Sequence, residues 1–419
     1  MPYQNPKGTR DFYPEEKEVR TALFNKFRAL AKRYNYGEIE SPAFEYLDFL
    51  IEKSGEAIKN EIFVFEKRST EQFGLRFDLT VPAARLFLQK QKELPKPVKW
   101  FYVDKMWRYE APQKGRLREF YQMGVELFGS DKPEADAEVI SLAMDFLLEL
   151  GLKENQFVVR INNRKLLEGI LQGLKIKQIP ETIRVIDKSK KLSEKECDEE
   201  LKKLKLTASQ ITAIKKLLNI TDTKEFERLK FFTNEAKQGL QEVVSVIKAL
   251  KLFGKDKYIQ FDLATARGLE YYTGCVFECF DAKGACRSIF AGGRYDKMIE
   301  NFGGNATPAT GFAMGDATLQ ILLEENNLWS TPGRELDYYI IVIGKNAKEK
   351  AFELCQTLRK KGSVEIDIMD RSTRNQLDYA NKCGAKKAIF IGDEELKSGK
   401  ATVKDLATRN EEKIDFEKL

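Results

Sequence analysis

Residues 107–129, WRYEAPQKGRLREFYQMGVELFG, hold the groups around which chemistry in this chain would be arranged. Their pattern predicts a strand, a basic loop and a second strand. Strand side chains alternate, so Tyr121, Met123, Val125 and Leu127 share one face and Phe120, Gln122, Gly124, Glu126 and Phe128 the other. The first set reads as core. The second places an amide and a carboxylate around a glycine, and an in-strand glycine often marks the close approach of a ligand or another backbone. Arg108 and Glu110 share a face on the strand before the loop, with Gln113, Lys114, Arg116 and Arg118 between the strands. Guanidinium groups grip phosphate oxygens in a planar fork that lysine cannot copy. A carboxylate on the same sheet as such arginines suits two ligand parts of opposite charge, an amine and a phosphate. An amino acid and a nucleotide fit that description. A second reading stays open, and composition alone favours it: a solvated antiparallel sheet bearing surface charges.

Composition narrows the chemistry. At 419 residues the chain exceeds one ordinary core, so roughly two or three domains are expected. Hydrophobic residues at 42% and charged residues at 32% fit a globular protein. The formal net charge of +6 permits a polyanionic partner and equally fits surface lysine. There is no histidine at all. Histidine triads and histidine metal sites are therefore excluded, and any proton transfer near neutral pH must use a shifted group. Cys197, Cys275, Cys279, Cys286, Cys355 and Cys383 are scattered, without a paired zinc-type spacing, so reduced thiols and no metal site are expected. The N-terminal residues contain no apolar run, and no span is long enough for a membrane helix; a cytoplasmic location is expected.

The elements that must position these groups follow in order. Residues 7–14 read as an extended entry, after which Pro14, Glu15 and Glu16 open a helix striped by Val19, Leu23, Phe27, Leu30 and Tyr34. A strand and turn follow at residues 38–42. Residues 75–82, LRFDLTVP, predict a strand running into a helix that starts near Val81 or Pro82, with Asp78 and Thr80 on one face as a helix cap. A helix is expected over residues 135–150, closed by Gly151. Lysine-rich helical segments fill residues 162–255, with Ser193 and Glu196 as a capping box. Two apolar runs then flank a bend at residues 266–268, and residues 310–325 predict a strand, a glycine break and a helix, with Asp316 placed to cap it. After a linker at residues 331–334, strands at 338–343, 364–368 and 388–391 alternate with helices at 347–361 and 374–382. Gly362 and Gly384 close those helices.

The central segment resembles motif 2 of the class II aminoacyl-tRNA synthetases in the form found in histidyl-tRNA synthetases: aromatic-Arg-x-Glu, a PQKGR loop, then R-x-F-x-Q-x-x-x-E. The first helix with its following strand and proline resembles motif 1, the dimer interface of that family. RGLEYY at residues 267–272 and SIFAGGRYD at residues 288–296 resemble its two histidine-specific motifs. The resemblance implies that Arg267 binds the substrate carboxylate and the α-phosphate, and that Arg108 shares the α-phosphate. It implies that Asp78, Thr80, Gln122 and Glu126 hold the substrate amine, while Tyr271, Tyr272 and Tyr295 border the imidazole pocket, beside which Gly292 and Gly293 give the backbone room. Glu110 is expected to orient the adenine, Arg116 to meet the ATP phosphates, and Gln113 to face the tRNA acceptor end. A fixed cation between two reacting anions lowers their repulsion, which makes the arginine assignments chemically sensible. Residues 310–325 match motif 3 in position, but residues 315–318 read Gly-Asp-Ala-Thr where most class II enzymes have G-x-E-R. The γ-phosphate contact must then come from elsewhere, with Arg116 and Arg294 as candidates.

The fold class implied is α+β: a class II antiparallel sheet with flanking helices, a helical insertion and a C-terminal α/β anticodon-binding domain. The domains expected are residues 1–161 and 256–330 for the catalytic core, 162–255 for the insertion, and 331–419 for anticodon binding. The implied reaction is ATP-dependent ligation of L-histidine to tRNA(His) through histidyl-adenylate, with Mg2+ as the metal, in a homodimer that meets no membrane. The alternative is a related non-charging protein, the regulatory subunit of ATP phosphoribosyltransferase, toward which the altered motif 3 points.

Overall fold

The computed structural model describes residues 3–54, 56–66, 70–229, 232–267, 271–283, 287–330 and 336–419. Gly268 of the expected bend, residues 268–270 of the first histidine-type motif, Cys286 and the linker at residues 331–334 lie outside the described residues. The chain divides into two compact units, residues 1–11 with 20–330, and residues 12–19 with 331–419.

In chain order the strands up to residue 330 are β1 (Gly37–Glu38), β2 (Phe44–Tyr46), β3 (Phe73–Leu75), β4 (Val98–Trp107), β5 (Glu119–Phe128), β6 (Phe157–Asn163), β7 (Ile259–Phe261), β8 (Cys275–Asp281), β9 (Phe290–Arg294) and β10 (Ala309–Gly315). The helices are α1 (Pro14–Arg33), α2 (Leu47–Ser54), α3 (Thr80–Lys90), α4 (Pro133–Glu149), α5 (Arg164–Gly173), α6 (Ile179–Lys188), α7 (Glu194–Lys203), α8 (Ala208–Leu218), α9 (Asn234–Leu252), α10 (Met298–Asn301) and α11 (Asp316–Glu325). Eight strands form one sheet in the order β1-β4-β5-β10-β9-β8-β6-β7, and β2 pairs with β3 apart from it. Pairing is antiparallel from β4 through to β6, and the short edge strands β1 and β7 are parallel to their neighbours.

The two faces of β5 differ as alternation requires. Met123, Val125 and Leu127 pack in the large core with Phe24, Phe27 and Leu30 of α1 and with buried residues of α4. The same core takes Phe312 and Met314 of β10 and Phe277 and Cys279 of β8, so the core side is continuous across the sheet. Phe128 and Val98 belong instead to a second cluster on the opposite face, with Val276, Tyr272 and Tyr295. α1 carries acids in its first turn and Lys32 and Arg33 in its last, matching the helix dipole at both ends. The Ser193 and Glu196 capping box forms at α7.

The smaller unit holds β11 (Leu336–Val342), α12 (Lys348–Leu358), β12 (Val364–Ile366), α13 (Thr373–Lys382), β13 (Ala385–Ile391), α14 (Asp393–Ser398), β14 (Lys400–Asp405) and β15 (Glu411–Asp415). Its sheet runs β12-β11-β13-β14-β15, parallel at first and closed by an antiparallel hairpin that the expected alternation did not include.

Three local expectations are corrected. β4 ends at Trp107, so Arg108 and Glu110 leave the strand rather than sharing a face on it. Only residues 73–75 form the strand before α3, and that helix begins at Thr80 with Leu79 in the cap position. Asp78 accepts the Thr80 N–H at 3.2 Å, so its carboxylate serves the helix end from one residue before the cap. Asp316 does not cap α11; Gly315 occupies that position, without a side-chain bond to make.

Candidate active site

The floor of the site is set by register. Gln122 and Glu126 are buried on β5, and Gly124 between them lies opposite Tyr102 of β4. A Cβ on Gly124 would meet the Tyr102 hydroxyl at 2.4 Å and the Phe312 carbonyl at 2.5 Å, so the glycine exists to let Tyr102 lie across the strand. Gly311 of β10 lies opposite Glu126, and a Cβ there would stand 2.3 Å from Glu126 Oε2. Gly293 of β9 faces Gly311, and a Cβ on it would meet the Tyr272 ring at 2.9 Å. Glycines on three adjacent strands thus clear a trough that a carboxylate and two aromatic rings enter.

The glycine pair of β9 is corrected in one respect. The side-chain position of Gly292 faces the core, 2.7 Å from Phe277, and Gly293 makes room for Tyr272; both admit protein groups.

Around that trough the expected residues gather. Tyr295 donates its hydroxyl to Glu126 Oε2. The rings of Tyr271 and Tyr272 lie 4.4 Å apart, and those of Tyr271 and Tyr295 lie 6.1 Å apart. Burial first, and then the Asp78 charge, push the Tyr271 phenol up, while Arg267 opposes and Glu126 adds to the rise. Tyr271 therefore feels two acids, Asp78 and Glu126, and one cation, Arg267. Tyr102 is raised well above its ordinary value by burial, then by Glu126 and Asp78, so its hydroxyl remains a neutral donor.

Arg267 pairs with Glu278 of β8 at 2.9 Å. Burial pulls its guanidinium down, but Glu278 and the neighbouring tyrosines raise it more, and the net displacement is upward. Its backbone has φ of 45°, the left-handed region that a non-glycine residue enters at a cost of order 1–3 kcal/mol. Such strain persists where the surroundings demand one side-chain position. Arg108 is half-buried, donates from Nε to the Phe77 carbonyl at 3.3 Å and lies 5.0 Å over the Phe120 ring. Burial lowers it first, Asp78 raises it and Arg267 lowers it.

Among the described residues, Tyr102 Oη, Gln122 Oε1 and Arg267 Nε are buried polar atoms without a hydrogen-bond partner. Leaving such atoms unmade costs about 1–3 kcal/mol each. These three atoms belong to the region just described, where a polar ligand would supply partners.

The loop forms the other side. The turn at residues 113–116 is closed by Gln113 and Arg116, which exchange backbone bonds of 3.0 and 2.8 Å. Gly115 has φ of 74°, as the third position of a type II turn requires. Arg116 pairs with Glu110, so the residue expected at the adenine is held by a phosphate-loop arginine here. Gln113 accepts a hydrogen bond from Arg287, a residue that sequence reasoning missed.

Two expectations about the missing motif 3 arginine resolve differently. Asp316 is fully buried; it accepts the Tyr121 N–H at 2.8 Å and pairs with Arg10 at 2.7 Å and Arg20 at 2.6 Å. It is a brace behind the sheet. Arg294, one candidate replacement, points to the core side, where it binds Asp136 at 2.7 Å and donates to the Ser130 and Lys132 carbonyls. It is committed to structure and is withdrawn as a phosphate ligand. Among the described residues no cluster of three metal-ligating side chains occurs.

An antiparallel sheet of this order, with an acidic trough and an arginine-lined edge, is the core of a class II aminoacyl-tRNA synthetase. The model of histidyl-tRNA synthetase matches residues 8–319, and that of an anticodon binding domain matches residues 337–419. The chain is 39% identical over 409 residues to the histidine–tRNA ligase of Haloarcula marismortui, covering 96% of this chain and 94% of the relative. It is 40% identical over 418 residues to that of Pyrococcus furiosus, covering 98% and 96%. A solved histidyl-tRNA synthetase from Nostoc sp. PCC 7120 superposes with a TM-score of 0.80 at 26% identity, covering 99% of this chain and 97% of that one. The chain belongs to the histidyl-tRNA synthetase family.

Proposed function

We propose that this protein ligates L-histidine to tRNA(His) in two steps. In the first, a carboxylate oxygen of histidine attacks the α-phosphorus of ATP and pyrophosphate leaves, giving histidyl-adenylate. In the second, the terminal ribose hydroxyl of the tRNA attacks the acyl carbon and AMP leaves. The observation that supports this reading is that Tyr271 feels both the acids Asp78 and Glu126 and the cation Arg267, an acid for an ammonium group and a cation for a carboxylate. An amino acid in its zwitterionic form carries one group for each of those two kinds of charge.

Within this reading Glu126, Gln122, Asp78 and Thr80 receive the amine, and Tyr271, Tyr272 and Tyr295 border the imidazole. Arg267 and Arg108 hold the carboxylate against the α-phosphate and offset the charge that builds there. Arg116 meets the outer phosphates, Glu110 the adenine once its ion pair with Arg116 opens, and Gln113 the acceptor end. Magnesium enters with ATP as its phosphate chelate, which suits an ion that keeps most of its waters and uses substrate oxygens. Helices α5–α9 lean on the acceptor stem, the C-terminal unit reads the anticodon, and α1 with β1 forms the face of a homodimer. A cytoplasmic location belongs to the same reading; among the described residues no helix is long and apolar enough to cross a membrane. Domain limits at residues 161, 255 and 330 belong to the same reading. The anticodon-domain match at residues 337–419 favours a charging enzyme over a regulatory subunit.

Exchange of labelled pyrophosphate into ATP, run with each amino acid separately, tests the proposal. Exchange dependent on histidine, followed by charging of tRNA(His), is expected. Exchange with a different amino acid, or with none, overturns it.

A further inference from the structure

The cation for the far end of a triphosphate is not supplied by residues 315–318, whose one charged side chain is the carboxylate of Asp316, paired with Arg10 and Arg20. Nor is it supplied by Arg294, which Asp136 and two carbonyls hold. Arg118 lies over the Tyr109 ring at 4.7 Å and donates to the Glu110 carbonyl at 3.0 Å. Among the described residues, Arg287 is a further guanidinium beside the turn. Arg287 is exposed, stands just before β9, and donates to Gln113 Oε1.

Gln113 and Arg116 exchange both backbone bonds across the turn, so their Cα atoms lie about 5.5 Å apart as in any such pair. The Gln113 amide thus holds the Arg287 guanidinium beside the turn that carries Arg116. Among the described residues no carboxylate forms an ion pair with Arg287. Electrostatics trace the same order: Arg108 feels Arg267, and Arg116 feels Arg287 and Arg108 after its own burial. Arg267 and Arg108, Arg108 and Arg116, and Arg116 and Arg287 are thus neighbouring cations, and the last of them is exposed. A nucleotide whose α-phosphate meets Arg267 and Arg108 has its remaining phosphates running outward along Arg116 and Arg287.

We propose that Arg287 is a phosphate-binding residue of the ATP site that contacts the terminal phosphate, in place of the arginine absent from residues 315–318. In the free protein the Gln113 amide holds it near its working position. When ATP binds, the guanidinium exchanges a neutral oxygen for phosphate oxygens, a stronger charge-assisted contact. The inference rests on the ATP-dependent activation proposed above.

The test compares wild type, Arg287→Ala and Arg287→Lys in histidine-dependent pyrophosphate exchange, alongside competitive inhibition by AMP, which has no terminal phosphate. The alanine variant is expected to raise the KM for ATP about ten- to hundred-fold, with the AMP inhibition constant unchanged and lysine recovering part of the loss. An unaltered KM for ATP in an alanine variant that unfolds at the wild-type midpoint overturns the assignment and leaves the histidine reading standing. Equal losses for ATP and AMP also overturn it, since they mark Arg287 as a support for the loop. If the alanine variant does not fold, Arg287→Gln takes its place: an unaltered KM for ATP overturns the assignment, and a KM raised with AMP binding intact sustains it. Wild-type enzyme that exchanges with no amino acid overturns both readings together.

Discussion

The strand-borne wall and the loop-borne edge of this site are built on opposite principles. Glu126, Gln122, Tyr102 and Tyr295 sit on or beside central strands, are almost wholly buried, and take their positions from the register of four neighbouring strands. Gln113, Glu110, Arg116 and Arg287 sit on loops, are half-buried or exposed, and pair with one another, Arg116 with Glu110 and Arg287 with Gln113. The wall leaves polar atoms without partners, such as Gln122 Oε1, and so stores its readiness as unmade bonds. The edge stores its readiness as bonds to be exchanged. On the proposed function, a small amine-bearing ligand would meet a surface that need not move, whereas a long polyanion would meet arginines that first release their present partners.

Arginines on the two sides of the sheet give the sharpest way to break this comparison, and the largest effect. Arg294→Ala leaves the Asp136 carboxylate buried without its cation, although burial already pushes that carboxyl up. Loss of one partner from such a pair costs about 3–5 kcal/mol. Denaturant unfolding should show that loss, while the KM for ATP of the folded fraction stays at the wild-type value. A rise in that KM with little loss of stability would return Arg294 to the phosphate edge.

Glu126→Gln keeps the shape of the wall and removes its charge. Truncating one partner of a buried charge pair costs about 2–5 kcal/mol, so kcat/KM for histidine should fall roughly a hundred- to thousand-fold. The KM for ATP should change little. Parallel losses for both substrates would merge wall and edge into one unit. Gly311→Ala is the steric counterpart: its new methyl meets Glu126 Oε2 at 2.3 Å and the Val125 carbonyl at 2.5 Å. The carboxylate can turn aside, but the backbone cannot, and a stability loss of about 1–3 kcal/mol is expected from overpacking. Unfolding at the wild-type midpoint would show that the trough has slack.

The wall was legible in the sequence because strand alternation is local: Gln122 and Glu126 share a face whatever the partner strands are. What lies opposite them was not, since Tyr102 reaches Gly124 through a register and not a spacing. Asp316 shows the limit plainly. Its position at the start of α11 suggested a cap, but its partner Arg10 is 306 residues away in the chain. Arg287 and Gln113 are 174 residues apart, and no pattern in either segment points to the other. Arg108 and Glu110 were placed on a strand because alternation continues past Trp107 even where sheet pairing stops. In the smaller unit the hairpin of β14 and β15 went unread because only Ala401 and Val403 on β14 are buried, too few to show a period among lysines and acids.

Tyr295→Phe has the smallest expected effect and bears most directly on how the wall works. Burial first, and the Glu126 charge next, raise the Tyr295 phenol well above its ordinary value of 10.0. A group raised in this way contributes stability that is complete below pH 10.0 and is lost only as pH climbs through the higher folded value. The phenol therefore stays a neutral donor to Glu126 across the range in which exchange is measured. Removing it costs one hydrogen bond to a charged acceptor, about 1.5–3 kcal/mol, seen as a drop in kcat/KM for histidine of roughly ten- to hundred-fold. The shape of the pH profile between pH 7 and about pH 9 should be the same in both proteins. A new alkaline limb in the wild type that the phenylalanine variant lacks would mean that Tyr295 ionises in that range. The wall would then be a titrating surface, and its contrast with the movable edge would fail at the residue where it is drawn most clearly.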